Sequence, residues 1–439
     1  MLRKGKLYLF LILFVGMAFV AILGKWVSCF LPSNLIQNNI RNSVAILREE
    51  GLVIPPLYSG RVSYDNATDA QVLSVIYSSV NKNEPVLMRA FANEQISWEE
   101  TTNPITWLEK LVNYDFEGGV KSIYVVRHWM GITVPLKVLL CFFDYGSIRT
   151  MLMVAIFLLL INLATKIYQI DKKLALSFVI SFIAIDVGNI CLTVNSWAIS
   201  MISLGAVYGI IYFRKKILNN VELYCFLFGG LTAYFDLMSA PIMSYLYIML
   251  FVIYFGDFNI KTLMKKIILS GIAWLGGYLG LWSINWLIIS LVLKENVFAD
   301  VLNEIFRMTH GLTLDWAPDN KWDLLKDTIT LNWNQLIMAD TINRFTIFVK
   351  AFLGILMIFW TAKSFSLKDV KIKLLGMMVI AVIPFGWFIC ANNQAFIFYN
   401  LSYRILGPTV MAIAFIALEG VGNSNFFILK DIKSKRKSR

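Results

Sequence analysis

Apolar residues fall into long runs along this chain, and short stretches rich in lysine and arginine separate many of them. Leu7 to Gly24 is an unbroken apolar run. Others cover about 149–168, 174–190, 192–213, 222–239, 241–256, 267–292, 345–362, 374–391 and 404–421. A helix needs about 20 apolar residues to cross about 30 Å of hydrocarbon. The pattern therefore predicts an all-α membrane protein with about ten transmembrane helices. Two stretches interrupt it. Residues 25–148 are too polar to cross and hold helix-like segments and turn signals; residues 293–344 form a second polar region between spans seven and eight.

Charge orients the pattern. Every loop the alternation places inside carries at least three Lys or Arg, whereas the short turns near Asn189–Asn195 and Ser239–Pro241 carry none. Lysine and arginine favour the cytoplasmic side. The expected division is a signal-anchor span (1–24), a large extracytoplasmic loop with interfacial helices (25–148), a membrane bundle (149–292), a second extracytoplasmic loop (293–344), a further bundle (345–421) and a basic cytoplasmic tail (422–439). Both termini are expected in the cytoplasm. Val134–Phe143 is expected as a helix on the outer interface.

Composition agrees with this reading. Hydrophobic residues make up 58% of 439 positions and charged residues 15%, more apolar surface than a soluble domain hides. The net charge of +12 sits beside the apolar runs, so it marks membrane orientation and argues against nucleic acid as a partner. The five cysteines are scattered and the two histidines too few for a multi-histidine site, so no metal is expected. No phosphate-cradling glycine motif, HExxH or GxSxG occurs. The sequence names no cofactor.

Four segments carry candidate chemistry. Asp65 and Asp69 stand four apart, on one face if helical, and form a candidate catalytic pair, a general base and its orienting partner; the competing reading is a helix cap. Arg127 and His128 open a turn with Trp129 and Gly131. Arg127 offers a planar donor fork for phosphate and His128 a proton donor or acceptor, against a reading in which Trp129 anchors the turn at headgroup level. Asp236 lies within an apolar run, where a charge usually faces a cavity or partner; the alternative is a hydrogen bond to the helix break at Pro241. Asn393 and Arg404 belong to a polar, aromatic outer loop, Arg404 being suited to a lipid phosphate or to snorkelling.

At these segments the chain resembles a family of uncharacterised bacterial polytopic membrane proteins. Asp65, Asn66, Thr68, Asp69 and Ala70 match its first motif; Arg127, His128, Trp129 and Gly131 its second, with Met130 intervening before the glycine. Tyr234, Phe235, Asp236 and Pro241 match the third, and Asn393, Tyr403 and Arg404 the last, where Gln394 and Phe398 replace the usual histidines. More distantly the layout resembles the GT-C class of glycosyltransferases. That likeness implies a sugar transferase in the bacterial cell membrane, with membrane lipids, a polyprenyl-phosphate sugar donor and a glycan acceptor as partners. Asp65 or Asp69 would then serve as base, Arg127 and Arg404 would bind the leaving phosphate, and His128, Asp236 and Asn393 would contact substrate. The rival expectations are a transporter or flippase for a lipid-linked or polar solute, and a non-catalytic envelope assembly protein.

Overall fold

The computed structural model describes residues 4–54, 64–80, 83–188, 190–310, 318, 320–337 and 371–422. The expected span at 345–362 and the tail from 423 onward lie outside them.

The apolar runs among the described residues are helical over most of their length. α1 spans Lys4–Ser28; α2 (Ser33–Glu50), α3 (Asn66–Ser79), α4 (Val86–Phe91), α5 (Pro104–Val112) and α6 (Thr133–Leu140) build the polar region that follows. The bundle continues with α7 (Tyr145–Ile170), α8 (Lys172–Ala184), α9 (Val194–Leu218), α10 (Val221–Phe235), α11 (Met243–Phe255) and α12 (Ile260–Leu293). The second polar region contributes α13 (Val297–His310) and α14 (Lys321–Ile337). After it come α15 (Lys371–Cys390), the short α16 (Asn392–Ile397) and α17 (Tyr399–Ser402), and α18 (Gly407–Gly422). Among the described residues strands are few: β1 (Val53–Ile54) pairs with β2 (Tyr64–Asp65), and β3 (Glu94–Trp98) with β4 (Val120–Tyr124), both antiparallel. Among the described residues six helices are long and apolar enough to cross a bilayer. The chain is a predominantly helical, multi-pass membrane protein.

Local chemistry explains where the helices start. Asp144 accepts from the Ser147 N–H at 2.8 Å at the head of α7, Asp171 from Lys173 at 2.7 Å at the head of α8, and Asn259 from Thr262 at 2.9 Å at the head of α12. Each satisfies a donor that a helix start leaves open. α12 has 34 residues, about 51 Å at 1.5 Å each, so it projects beyond the hydrocarbon.

Two cores form. One fills the bundle, with α11 buried from Met243 to Ile253. The other lies under the first polar region, where Ile36, Ile40, Leu73, Ile76, Trp98, Leu108 and Leu136 pack together. α10 and α12 cross in close contact because glycines face backbone. A Cβ on Gly229 would stand 2.0 Å from the Trp274 carbonyl oxygen, and one on Gly277 2.0 Å from that of Phe226.

Two readings of the first region change. Lys137, on the helix expected at the interface, is buried; its Nζ lies 3.4 Å from Ser28 Oγ, and desolvation draws its ammonium down to about 8. Only one side of α6 is open, at Val138, with Phe142 and Phe143 just beyond. Trp129, for which anchoring at headgroup level was the competing reading, is fully buried and donates Nε1–H to the Leu281 carbonyl at 2.7 Å. The indole finds its partner on α12 rather than at a wet surface.

Candidate functional site

Two cavities share a wall. The larger, about 680 Å³, runs along α12 and reaches α13, α15 and α16. Its floor is an aromatic ladder, Trp274, Tyr278, Trp282 and Trp286, spaced at four residues and so on one helix face. Successive ring centroids are 5.1, 4.9 and 5.4 Å apart. Arg127, His128, Glu304 and Arg307 stand at its charged end. The smaller cavity, about 140 Å³, is lined by Thr68, Gln71, His128, Met130, Ser239 and Gln394, among others. His128, Leu237, Met238, Gln394 and Phe398 line both. The four segments singled out in the sequence thus meet around one joint space.

The 125–131 segment is strapped into place by side chains that satisfy its backbone. Asn93 Nδ2 donates to the carbonyls of Val125 and His128, each at 3.2 Å. Asn285 Nδ2 donates to Val126 at 3.4 Å and Trp286 Nε1 to Arg127 at 3.1 Å. The Gly131 N–H donates to the Tyr234 carbonyl at 2.9 Å, and a Cβ there would stand 2.4 Å from that oxygen, so glycine is required. Asn93 is in turn held by the Lys25 ammonium, which donates to its Oδ1 at 2.7 Å from the end of α1. Such second contacts fix where Arg127 and His128 stand. Met130 (φ +52) and Met238 (φ +66) are left-handed, at about 1–3 kcal/mol of strain each, and both line the smaller cavity.

Electrostatics divides the site. Arg127 Nη1 lies 3.1 Å from Glu304 and its Nε 3.5 Å from Asp300. Arg307 grips Glu304 through Nη2 at 2.6 Å and Nε at 3.0 Å. These guanidiniums, Arg307 first, hold the Glu304 carboxyl below its usual range. The half-buried His128 ring packs on Trp282 at 5.9 Å. Desolvation, and then Arg127, lower its pKa to about 4, so the imidazole is neutral at pH 7 and able to accept a proton or a hydrogen bond.

Asp236 terminates α10, and its Oδ1 accepts from Ser239 Oγ at 2.6 Å and Ser239 N at 3.3 Å. Its Oδ2 is buried without a hydrogen-bond partner. The same is true of His128 Nδ1, Tyr278 OH and Trp282 Nε1. Native proteins pair almost all buried polar atoms, so the three unpaired ones on His128, Tyr278 and Trp282, all lining the larger cavity, mark a place that receives polar groups; Asp236 itself lines neither cavity but directly precedes Leu237 and Met238, which line both. The sequence reading passed over Tyr278 and Trp282. Their signal was present as the four-residue aromatic spacing in span seven.

The remaining expected residues stand differently. Asp65 caps α3, accepting from the Thr68 N–H at 3.0 Å and from the Thr68 hydroxyl; it adjoins the smaller cavity through Thr68. Asp69 is fully buried and both oxygens are engaged: Oδ2 accepts from Tyr145 OH at 2.5 Å and Arg149 Nη2 at 3.4 Å, Oδ1 from the Val194 N–H at 3.0 Å. Burial raises its pKa to about 6. The two carboxylates therefore do not form the expected pair. Asn393 donates Nδ2–H to the Arg307 carbonyl at 2.6 Å, which anchors α13 to α16. Arg404 is buried, stacks on the Tyr403 ring at 5.0 Å and donates to the Asn400 carbonyl at 3.3 Å; it lines neither cavity. Among the described residues no group of three or more His, Cys, Asp or Glu gathers as metal ligands do. No family model, no curated protein and no solved structure matches the chain.

Proposed function

We propose that the protein is a membrane glycosyltransferase that takes a sugar from a polyprenyl-phosphate carrier and passes it to a glycan acceptor on the outer face of the bacterial cell membrane. In this reading ten spans leave both termini in the cytoplasm, and both polar regions lie outside. The observation that carries it is the joint space: an aromatic, apolar chamber with two arginines at one end shares a wall with a smaller one that Thr68, Gln71 and Ser239 help to line, and Asp236 directly precedes Leu237 and Met238 in that wall. An apolar tail suits the first, a phosphate the arginines, and hydroxyls the second.

The acceptor hydroxyl attacks the anomeric carbon. A new carbon–oxygen bond forms there as the bond from that carbon to the phosphate oxygen breaks, and the carrier leaves as its phosphate. Arg127 stabilises the growing negative charge. The hydroxyl proton passes to the open Oδ2 of Asp236, with neutral His128 orienting the hydroxyl. Asp69 is left out of the chemistry, and Asp65 acts only by holding Thr68.

Transfer of labelled sugar from polyprenyl-phosphate donors, followed with purified protein in nanodiscs, tests this. Asp236→Asn is expected to slow transfer at least about 100-fold while the carrier still binds, in line with loss of a positioned base. Full activity in that variant removes Asp236 from the mechanism. Movement of an intact sugar lipid across proteoliposomes, with no covalent change, replaces the transferase by a transporter.

A further inference from the structure

The charged mouth of the large cavity has an arrangement that the transfer reaction alone does not require. Asp300, Glu304 and Arg307 fall on one face of α13, and Glu304 sits between Arg127 and Arg307. Its carboxylate accepts from the Arg307 guanidinium and is ion-paired with Arg127 at 3.1 Å, while its side chain is only 13% exposed. Asn393 fixes the backbone of Arg307 from α16, so the second arginine is built into place.

We infer that Arg127 and Arg307 form the seat for a phosphate head borne on an apolar chain, and that Glu304 is a resident counter-anion which the phosphate replaces. The inference deepens the lipid-carrier reading above and rests on it. Charge decides the class of head. A fatty-acid carboxylate would exchange one negative charge for another and gain little. The carrier's phosphate is a diester with about one charge while it holds the sugar; once the sugar has left it is a monoester that brings about −1.5 to −2 and three acceptor oxygens, enough to engage both planar forks at once. Glu304 would then move aside toward solvent, and without a phosphate it keeps the two cations from repelling each other. It also sets a selectivity: anions that bind no better than a carboxylate are refused.

Equilibrium binding of radiolabelled farnesyl phosphate to the full chain in detergent tests this, with farnesol, farnesoic acid and inorganic phosphate as competitors. Losing a charge-assisted contact or its internal competitor is worth about tenfold in affinity. Glu304→Gln is expected to tighten farnesyl phosphate about tenfold, and Arg307→Ala or Arg127→Ala to weaken it by about as much. Asp300→Asn, which touches Arg127 alone from an exposed position, is expected to change it less than about threefold. Farnesol affinity should not move in any variant. Equal effects of Glu304→Gln and Asp300→Asn, or farnesoic acid competing as well as the phosphate, would overturn the seat. So would displacement by inorganic phosphate at the same concentrations as by the lipid. The two readings fail separately. Binding as described without sugar transfer from any carrier removes the transferase and keeps the seat. Transfer with carrier affinity unchanged by Glu304→Gln removes the seat and keeps the transferase.

Discussion

Replacing Arg149 by methionine gives the sharpest test of how the first polar region is fastened to the bundle. Arg149 stands one turn into α7 with its side chain 6% exposed. Nη1 donates to both oxygens of Glu50, at 2.9 and 2.7 Å, at the end of α2. Nη2 donates to Asn66 Oδ1 at 2.6 Å and to Asp69 Oδ2 at 3.4 Å, at the start of α3, and the guanidinium stacks on Tyr145 at 4.6 Å. Methionine fills much of the volume but leaves two carboxylates and an amide oxygen facing a space with no cation. Removing one partner of a buried ion pair costs about 3–5 kcal/mol. Glu50 is 28% exposed and regains some water, so the lower end, about 3 kcal/mol, is expected, most of it from Asp69. The pH dependence identifies the cause. Asp69 already takes its proton near pH 6, above the ordinary 3.8, so its burial disfavours folding increasingly as pH rises between those values. Arg149 holds that pKa down, so its loss moves protonation of the folded state still higher. The deficit of the variant is thus full well above pH 6 and fades as pH falls toward it. Thermal unfolding in detergent at pH 8 and pH 5.5 should show a large drop in midpoint at the first and a smaller one at the second. An unchanged midpoint, or a deficit that grows on acidification, would refute the assignment of Asp69 as a buried structural carboxylate.

Three further outcomes follow from contacts described above. Gly277→Ala puts a methyl group into the Phe226 carbonyl and should lower the unfolding midpoint, at about 1–3 kcal/mol, without abolishing membrane insertion. Tyr278→Phe removes a hydroxyl that has no partner, so stability should change by less than about 0.5 kcal/mol while affinity for a sugar-bearing carrier falls; a marked loss of stability would show that the hydroxyl is structural. Cys390 is exposed and lines the large cavity, whereas Cys29, Cys141 and Cys225 are buried, so a thiol reagent should label Cys390 faster than those three and farnesyl phosphate should slow it.

The helical membrane architecture was legible because hydrocarbon thickness imposes a run length that few other constraints produce. Four separated segments border the joint space, but of the candidate site residues in them only Arg127 and His128 line it; the buried charges Asp69 and Arg404 are spent on structural contacts instead. The orientation of Asp69 was not legible. Helical spacing puts Asp65 and Asp69 on one side, but Asp65 turned out to be the cap, outside the helical turn, and the partner that claims Asp69 lies 80 residues away on α7. Glu304 and Arg307 were read only as part of a polar stretch, because nothing local shows that α13 folds over a cavity. The aromatic ladder of α12 was hidden for the opposite reason: within an apolar span, tryptophan and tyrosine look like any lipid-facing residue until the neighbouring helices are in place.

The ammonium at the end of α1 changes what the first helix is for. Through Asn93 it braces the carbonyls of Val125 and His128, so the leading segment is a strut of the cavity wall as well as a tether. A foreign membrane anchor of equal length and greasiness, spliced on at residue 30, would deliver the remainder to the bilayer and still leave its histidine turn without a brace.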